Sequence, residues 1–248
     1  MGNGEALARQ MVLGLRRVSL AANLVGALSV FAVLTFLNPE SNLEDPDTQI
    51  SMVVFGVAMV VFVPFAVAIG YRLGTPVRRW LVEERAPTDD ERAVTLRQPI
   101  RQAALTGSGW VAALALFVPL QFAFGNPAIE AFRVAFGITL GGLITCLLVY
   151  LLLERVMRPF VALALAGGEP EEGAALGIRT RLMLSWALGS ALPFIAIVMR
   201  LVVRGDDIDD IRPLLVGVAA VGVLVGGYAL AVATRSISEP LTAVRRAL

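Results

Sequence analysis

The chain has 248 residues, 57% of them hydrophobic and only 17% charged, whereas an ordinary soluble domain carries about 25% charge. Its 21 basic residues are all arginine, and 20 acids leave a net charge of +1. With no histidine and a single cysteine, Cys146, an intrachain disulfide is excluded and a zinc or haem centre has almost no ligands.

The apolar excess falls into six uncharged runs, at residues 18–37, 50–71, 102–129, 134–153, 182–199 and 213–234. About 20 apolar residues in a helix rising 1.5 Å each cross a hydrocarbon core of about 30 Å, so each run predicts a transmembrane helix. No alternation of the kind expected of barrel strands is present. The predicted fold class is an all-α membrane protein of six transmembrane helices.

The first run is preceded by Arg9, Arg16 and Arg17. It is too long for a signal-peptide core, and LTFLNPE is a poor cleavage context, so it reads as a retained span. The loop after it, at 38–49, has four acids and no base. The loop after the second run holds seven arginines, the fourth loop four, and the C-terminus three. Adding the N-terminal three puts 17 arginines on one side, against Arg133, Arg200, Arg204 and Arg212 on the other. By the positive-inside rule, both termini and the two long loops are cytoplasmic, and the expected location is the plasma membrane.

Pro76, Pro159 and Pro240 follow the even-numbered spans at intervals of 83 and 81 residues. Small residues (Ala58, Gly141, Gly222) stand 18 positions before each, and Arg17, Arg101 and Arg181 precede the odd spans. This co-registration predicts three tandem helical hairpins, at about 6–87, 88–168 and 169–240, within a membrane domain at 1–234. Each proline is expected to end an even span and start a cytoplasmic helix extension at a set angle.

Within the spans, Gly137-x-x-x-Gly141 and Gly222-x-x-x-Gly226 have the spacing that lets helix backbones approach, either inside the bundle or across a dimer. Pro64, Pro119 and Pro193 are expected to kink their spans. Trp110, Tyr150 and Trp186 lie near span ends, as interface anchors do. No charge lies at mid-membrane depth, which argues against a pump or an ion-coupled carrier. Arg200, near the outer end of the fifth span, reads as a snorkelling residue or as a site for an anionic lipid headgroup such as a fatty-acid carboxylate.

In the second loop an amphipathic, arginine-rich stretch runs to Arg85, a turn follows at Ala86-Pro87, and Thr88 stands three residues before Glu91, a capping-box pattern. The segment RRWLVEERAPTDDE, with Trp80, the Glu83-Glu84-Arg85 triplet and the Pro87-Thr88-Asp89 turn, resembles the loop after the second helix of the six-helix class III adenylate cyclases of mycobacteria. YLLLERVMRPFVALAL in the fourth loop is similar to the corresponding segment of that family. TRSISEPLTAVRRAL, with Pro240 and Leu241, resembles the opening of a HAMP linker. Leu241, Val244 and Leu248 have heptad spacing.

The resemblance implies a membrane domain followed, from 235 to 248, by the start of HAMP. The parent protein would convert ATP to cyclic AMP and diphosphate with Mg or Mn at a homodimer interface. The catalytic residues of that family lie in a domain absent from this sequence, so no catalytic or metal site and no cofactor is assigned to the chain itself. The residues implied in signal coupling are Arg235, Glu239, Pro240, Leu241 and Val244, supported by Trp80, Glu83, Glu84 and Arg85. The expected partners are membrane lipids, a possible fatty-acid or lipid ligand, and a second copy meeting through the sixth helix and HAMP. No nucleic-acid partner is expected. Two other readings are the input domain of a sensor histidine kinase and a lipid-binding membrane protein without an effector.

Overall fold

The computed structural model describes residues 2–37 and 46–166, with scattered positions between 183 and 197. The chain divides into two compact units, Met1–Ala175 and Leu176–Leu248. In the second unit, the helical positions Met183, Trp186 and Phe194 carry exposed apolar side chains. Arg200, Gly222, Gly226, Arg235, Glu239, Pro240, Leu241 and Val244 lie outside the described residues, as do the sixth span and the HAMP-like tail.

Among the described residues the first unit is helical throughout, with no strand: α1 (Asn3–Leu37), α2 (Pro46–Leu73), α3 (Thr75–Val82), α4 (Asp89–Ala123) and α5 (Ala128–Leu165). All but the short α3 are long and apolar enough to cross a membrane. The 35 residues of α4 and 38 of α5 reach about 52 and 57 Å, well beyond a hydrocarbon core of about 30 Å. In α4 the excess is at the N-terminal end, before the uncharged stretch that starts at Gln102. Helix extensions at the arginine-rich end are therefore present as continuous helix.

The uncharged run at 102–129 is not one span. Helix α4 stops at Ala123, and Phe124–Pro127 turns the chain into α5. Gly125 takes φ +79°, where a side chain would be strained. The Asn126 side-chain amide donates to Gln121 Oε1 at 3.1 Å, and Pro127 supplies the extended N-cap of α5. The run looks continuous because this turn contains no charge.

Helix α5 is the centre of the unit. It is buried on several faces and packs mainly against α4 and α1, while α2 lies against α4. The packing order is thus α1–α5–α4–α2. Helices α4 and α5 form a mutually packed hairpin. Helices α1 and α2 do not: each rests chiefly on a member of the second pair.

Burial along α1 explains its attachment. Gly4, Ala8, Met11, Leu15, Ala22 and Gly26 are buried, in steps of four, three, four, seven and four, a narrow seam along one side. No described side chain of α2 is buried, and Val53, Val60, Val61 and Phe65 are each more than 60% exposed. A face that apolar is out of place in water and suited to lipid.

Small residues allow the closest approach. A Cβ on Gly26 would lie 1.7 Å from Thr145 Oγ1 and 2.9 Å from the Trp110 ring, and one on Gly141 would meet Val30 at 2.3 Å. A Cβ on Gly142 would lie 3.0 Å from the same side chain. Gly141 is therefore an intramolecular contact with α1, and Gly137 is buried one turn earlier. Trp110 is half-buried beside Gly26 and Gly142, and Tyr150 is buried within the bundle.

The prolines behave differently from one another. Pro76 meets the expectation: α2 stops at Leu73, Gly74 caps α3, and Pro76 occupies its first turn. Thr75 Oγ1 donates to the Tyr71 carbonyl at 3.2 Å, beside the bond that proline cannot make. Pro159, by contrast, lies within unbroken α5. Met157, Phe160 and Ala164 are buried around it, so packing holds the helix together where the missing hydrogen bond would loosen it. Pro64 and Pro119 also lie within continuous helices.

Candidate functional site

The stretch from Thr75 to Arg92 gathers the arginine-rich ends of α1, α3, α4 and α5 into one joint. It starts with α3, whose Val77, Trp80 and Leu81, at i, i+3 and i+4, form a buried apolar face against α1 and α4. Trp80 is 4% exposed, and its indole N–H donates to Thr95 Oγ1 at 3.4 Å. Thr95 in turn donates to the Glu91 carbonyl at 2.7 Å, so its hydroxyl both gives and accepts.

Past α3 the chain turns sharply. Glu84 adopts φ +48°, the left-handed region that costs a non-glycine residue about 1–2 kcal/mol. Its side chain gives the reason. Glu84 Oε1 accepts a hydrogen bond from the Gly4 amide at 2.7 Å, across 80 residues of sequence. Gly4 is in the first turn of α1, where amides lack helical partners and the helix dipole favours negative charge. Glu84 is thus a cap for α1 delivered from the loop after α3. The glycines allow it: a Cβ on Gly4 would lie 2.2 Å from the Leu81 carbonyl oxygen.

Arg85 turns the other way. Its guanidinium donates two hydrogen bonds to the Glu91 carboxylate, at 2.6 and 2.7 Å, one to Glu83 Oε2 at 2.6 Å and one to the Ala86 carbonyl at 3.0 Å. The paired geometry with Glu91 matches guanidinium to carboxylate, the strongest arrangement for such ions. Glu91 also completes the predicted capping box: its amide donates to Thr88 Oγ1 at 3.3 Å, and its carboxylate accepts from the Thr88 amide at 2.9 Å. The Arg85 hydrogen bonds hold the Glu91 carboxyl down to about 2, from an ordinary value of 4.5. Glu91 lies about 16 Å before the uncharged part of α4, outside the membrane-spanning stretch. Glu83, itself exposed in its pairs with Arg79 and Arg85, adds little by comparison.

The last connection is Arg92. Its Nε donates to the Ala164 carbonyl at 3.1 Å, one of the last carbonyls of α5, and its Nη1 pairs with Asp89 at 2.7 Å. A cation at a helix C-terminus is favourable for the reason that an anion is favourable at the N-terminus.

Of the residues singled out in this loop, Trp80, Glu84 and Arg85 therefore join separate helices, and Glu83 decorates the surface. Gly4, Thr95, Arg92 and Ala164 complete the joint without having been marked. Their signal is tertiary, since each matters through a partner at least 15 residues away.

No protein-family model matches the chain, and no solved structure does. The uncharacterized protein Rv1319c of Mycobacterium tuberculosis is 34% identical over 179 residues, covering 70% of this chain and 32% of that protein. Rv1318c of the same organism is 31% identical over 182 residues, 72% of this chain and 33% of the relative. Mb1354c of Mycobacterium bovis is 30% identical over 190 residues, 73% and 32% respectively. The chain spans about a third of the length of the curated relatives it matches.

Proposed function

We propose that this chain is the membrane anchor and regulatory input domain of a dimeric adenylate cyclase, relaying a signal from the membrane through a HAMP linker. In this reading the chain is a multi-pass plasma-membrane protein of six spans with both termini in the cytoplasm. The joint is then a cytoplasmic platform beneath the bundle. The observation that carries the reading is that side-chain bonds link the ends of four helices in one place: Glu84, just after α3, bonds to α1, Arg85 and Trp80 bond to α4, and Arg92 of α4 bonds to α5. Such a platform turns separate helices into a body that moves as one, and gives a moving sixth helix something rigid to move against.

Two further facts support the reading. The loop that builds the platform is the segment that resembles the cyclase family, and the mycobacterial relatives extend well beyond the aligned third of their length, leaving room for an effector. Arg235, Glu239, Pro240, Leu241 and Val244 would carry the movement onward, and Mg or Mn would serve the effector's chemistry.

The test fuses residues 1–248 to a class III cyclase reporter and measures cyclic AMP formation in vesicles. Pro240→Ala, a one-residue insertion after Val244, and Arg85→Ala should each change the basal rate by several-fold, with membrane insertion unchanged. A rate constant across the whole series refutes the proposal.

A further inference from the structure

A groove of about 520 Å³ runs between α1 and α5 at the arginine-rich end. Its apolar wall includes Leu13, Val156 and Phe160, and its polar rim is Arg9, Gln10 and Arg17. No acid lines it. Among the described residues neither arginine is in an ion pair, whereas Arg79, Arg85, Arg92 and Arg133 of the same unit are. Two exposed cations over an apolar trough, without a counter-charge, call for an amphiphilic anion.

Position narrows the class. Arg17 directly precedes the uncharged stretch of α1, and Val156 follows that of α5 by three residues, so the groove opens at the membrane boundary. Arg9, Leu13 and Arg17 lie on one stripe at i, i+4 and i+8, with about 12 Å between the arginine backbones. Both flexible side chains can bend to a phosphate held between them. Gln10 offers a further donor beside it.

We propose that this groove binds one anionic phospholipid of the cytoplasmic leaflet, with its phosphate between Arg9 and Arg17 and its acyl chains along the α1–α5 seam. The site uses membrane placement and the charge-derived orientation, and does not depend on which effector the protein carries. It is built from residues other than Arg200, the position considered for a headgroup from the sequence. Because the lipid would touch both α1 and α5, it would load the helix pair that the Glu84 and Arg92 bonds tie to the platform.

The experiment reconstitutes the full chain in vesicles of equal phosphatidylglycerol and phosphatidylcholine, then counts retained lipids by native mass spectrometry. Wild-type protein should retain phosphatidylglycerol in preference to phosphatidylcholine. At about 1 kcal/mol per surface arginine, Arg9→Gln with Arg17→Gln should cut that preference by roughly 30-fold. Arg72→Gln with Arg97→Gln removes the same charge from the same end outside the groove, and should leave the preference intact. Arg9→Lys with Arg17→Lys, which keeps the charge, should retain most of it. An unchanged preference in the groove pair overturns the proposal, as does an equal loss in the control pair, which would mean diffuse attraction. Displacement of the lipid by millimolar glycerol phosphate, or a mass change showing a second copy in its place, overturns it too.

Discussion

Gly4→Ala sets helix propensity against packing, and the two predict opposite signs. Alanine is favoured over glycine inside a helix by about 1 kcal/mol, so α1 alone should gain. The joint says otherwise. The new Cβ would fall 2.2 Å from the Leu81 carbonyl oxygen and 2.7 Å from Glu84 Cγ. The first of these is backbone, which cannot swing aside, so the start of α1 must lift away from α3.

Overpacking of this kind costs about 1–3 kcal/mol. Lifting α1 also stretches the 2.7 Å bond from the Gly4 amide to Glu84, and a bond to a charged acceptor is worth about 1.5–3 kcal/mol. Set against the propensity gain, the net is a loss of about 1.5–5 kcal/mol, localised to the joint. Hydrogen exchange of the protein in nanodiscs reads this directly: amides of the first turns of α1 and of α3 should exchange at least tenfold faster, while those of α5 at Gly141–Leu151 should not change. Gly2→Ala is the internal control, because its Cβ would meet only the flexible Glu84 Oε1 at 3.2 Å. If Gly4→Ala protects α1 better than wild type, the capping role of Glu84 is refuted.

Three other outcomes follow from the same contacts. The Glu91 carboxyl is held near 2 instead of 4.5, so its contribution to stability is complete above about pH 4.5 and fades as the pH falls toward 2; Glu91→Gln, which can keep the capping hydrogen bond but not the ion pair, should flatten that part of a pH-dependent unfolding curve. Thr95→Val leaves the Trp80 indole N–H buried without its acceptor and should cost about 1–3 kcal/mol in denaturant unfolding, with Thr95→Ser close to wild type. Gly26→Ala places a methyl group on Thr145 Oγ1 and the Trp110 ring; it should lower the thermal midpoint by several degrees and shift Trp110 fluorescence, and the double variant with Thr145→Ala should recover part of the loss.

Sequence alone located what depends on local chemistry. The capping box at Thr88 and Glu91 is legible because both partners lie within one helical turn, and the break before Pro76 because proline is tolerated in the first turn of a helix and not in its interior. The packing order of the helices was not legible. In lipid, an apolar side chain facing a neighbour and one facing the bilayer look alike, since neither face gains from leaving water. Helix α2 is the most hydrophobic of the four long helices, yet none of its described side chains is buried. Trp110 illustrates the same point: nothing local marks it as the partner of Gly26 and Gly142, which lie on other helices. The Glu84–Gly4 bond was illegible because an acid in an arginine-rich loop has many arginines to choose from, and it bonds an amide instead.

This difference between solvents also explains why the joint lies where it does. Within the bilayer the helices hold together through shape, as at Gly26, Gly141 and Trp110, and such contacts can slide. At the arginine-rich end, water is available and burial of apolar surface becomes a driving force. Ala8, Met11, Val77, Trp80, Leu81, Met157, Phe160 and Ala164 are all buried there. Around them stand directional bonds to helix ends, which fix angle as well as distance. On the function proposed above, a bundle soft in lipid and stiff at its water-facing end would convert a small rearrangement of spans into displacement of a rigid platform. If the platform were the soft part, hydrogen exchange would be faster in α3 and at Arg92–Thr95 of α4 than at Met157 and Phe160, near the C-terminal end of α5. Slow exchange at Trp80–Val82 and Arg92–Thr95, matching that of α5, is what a relay requires.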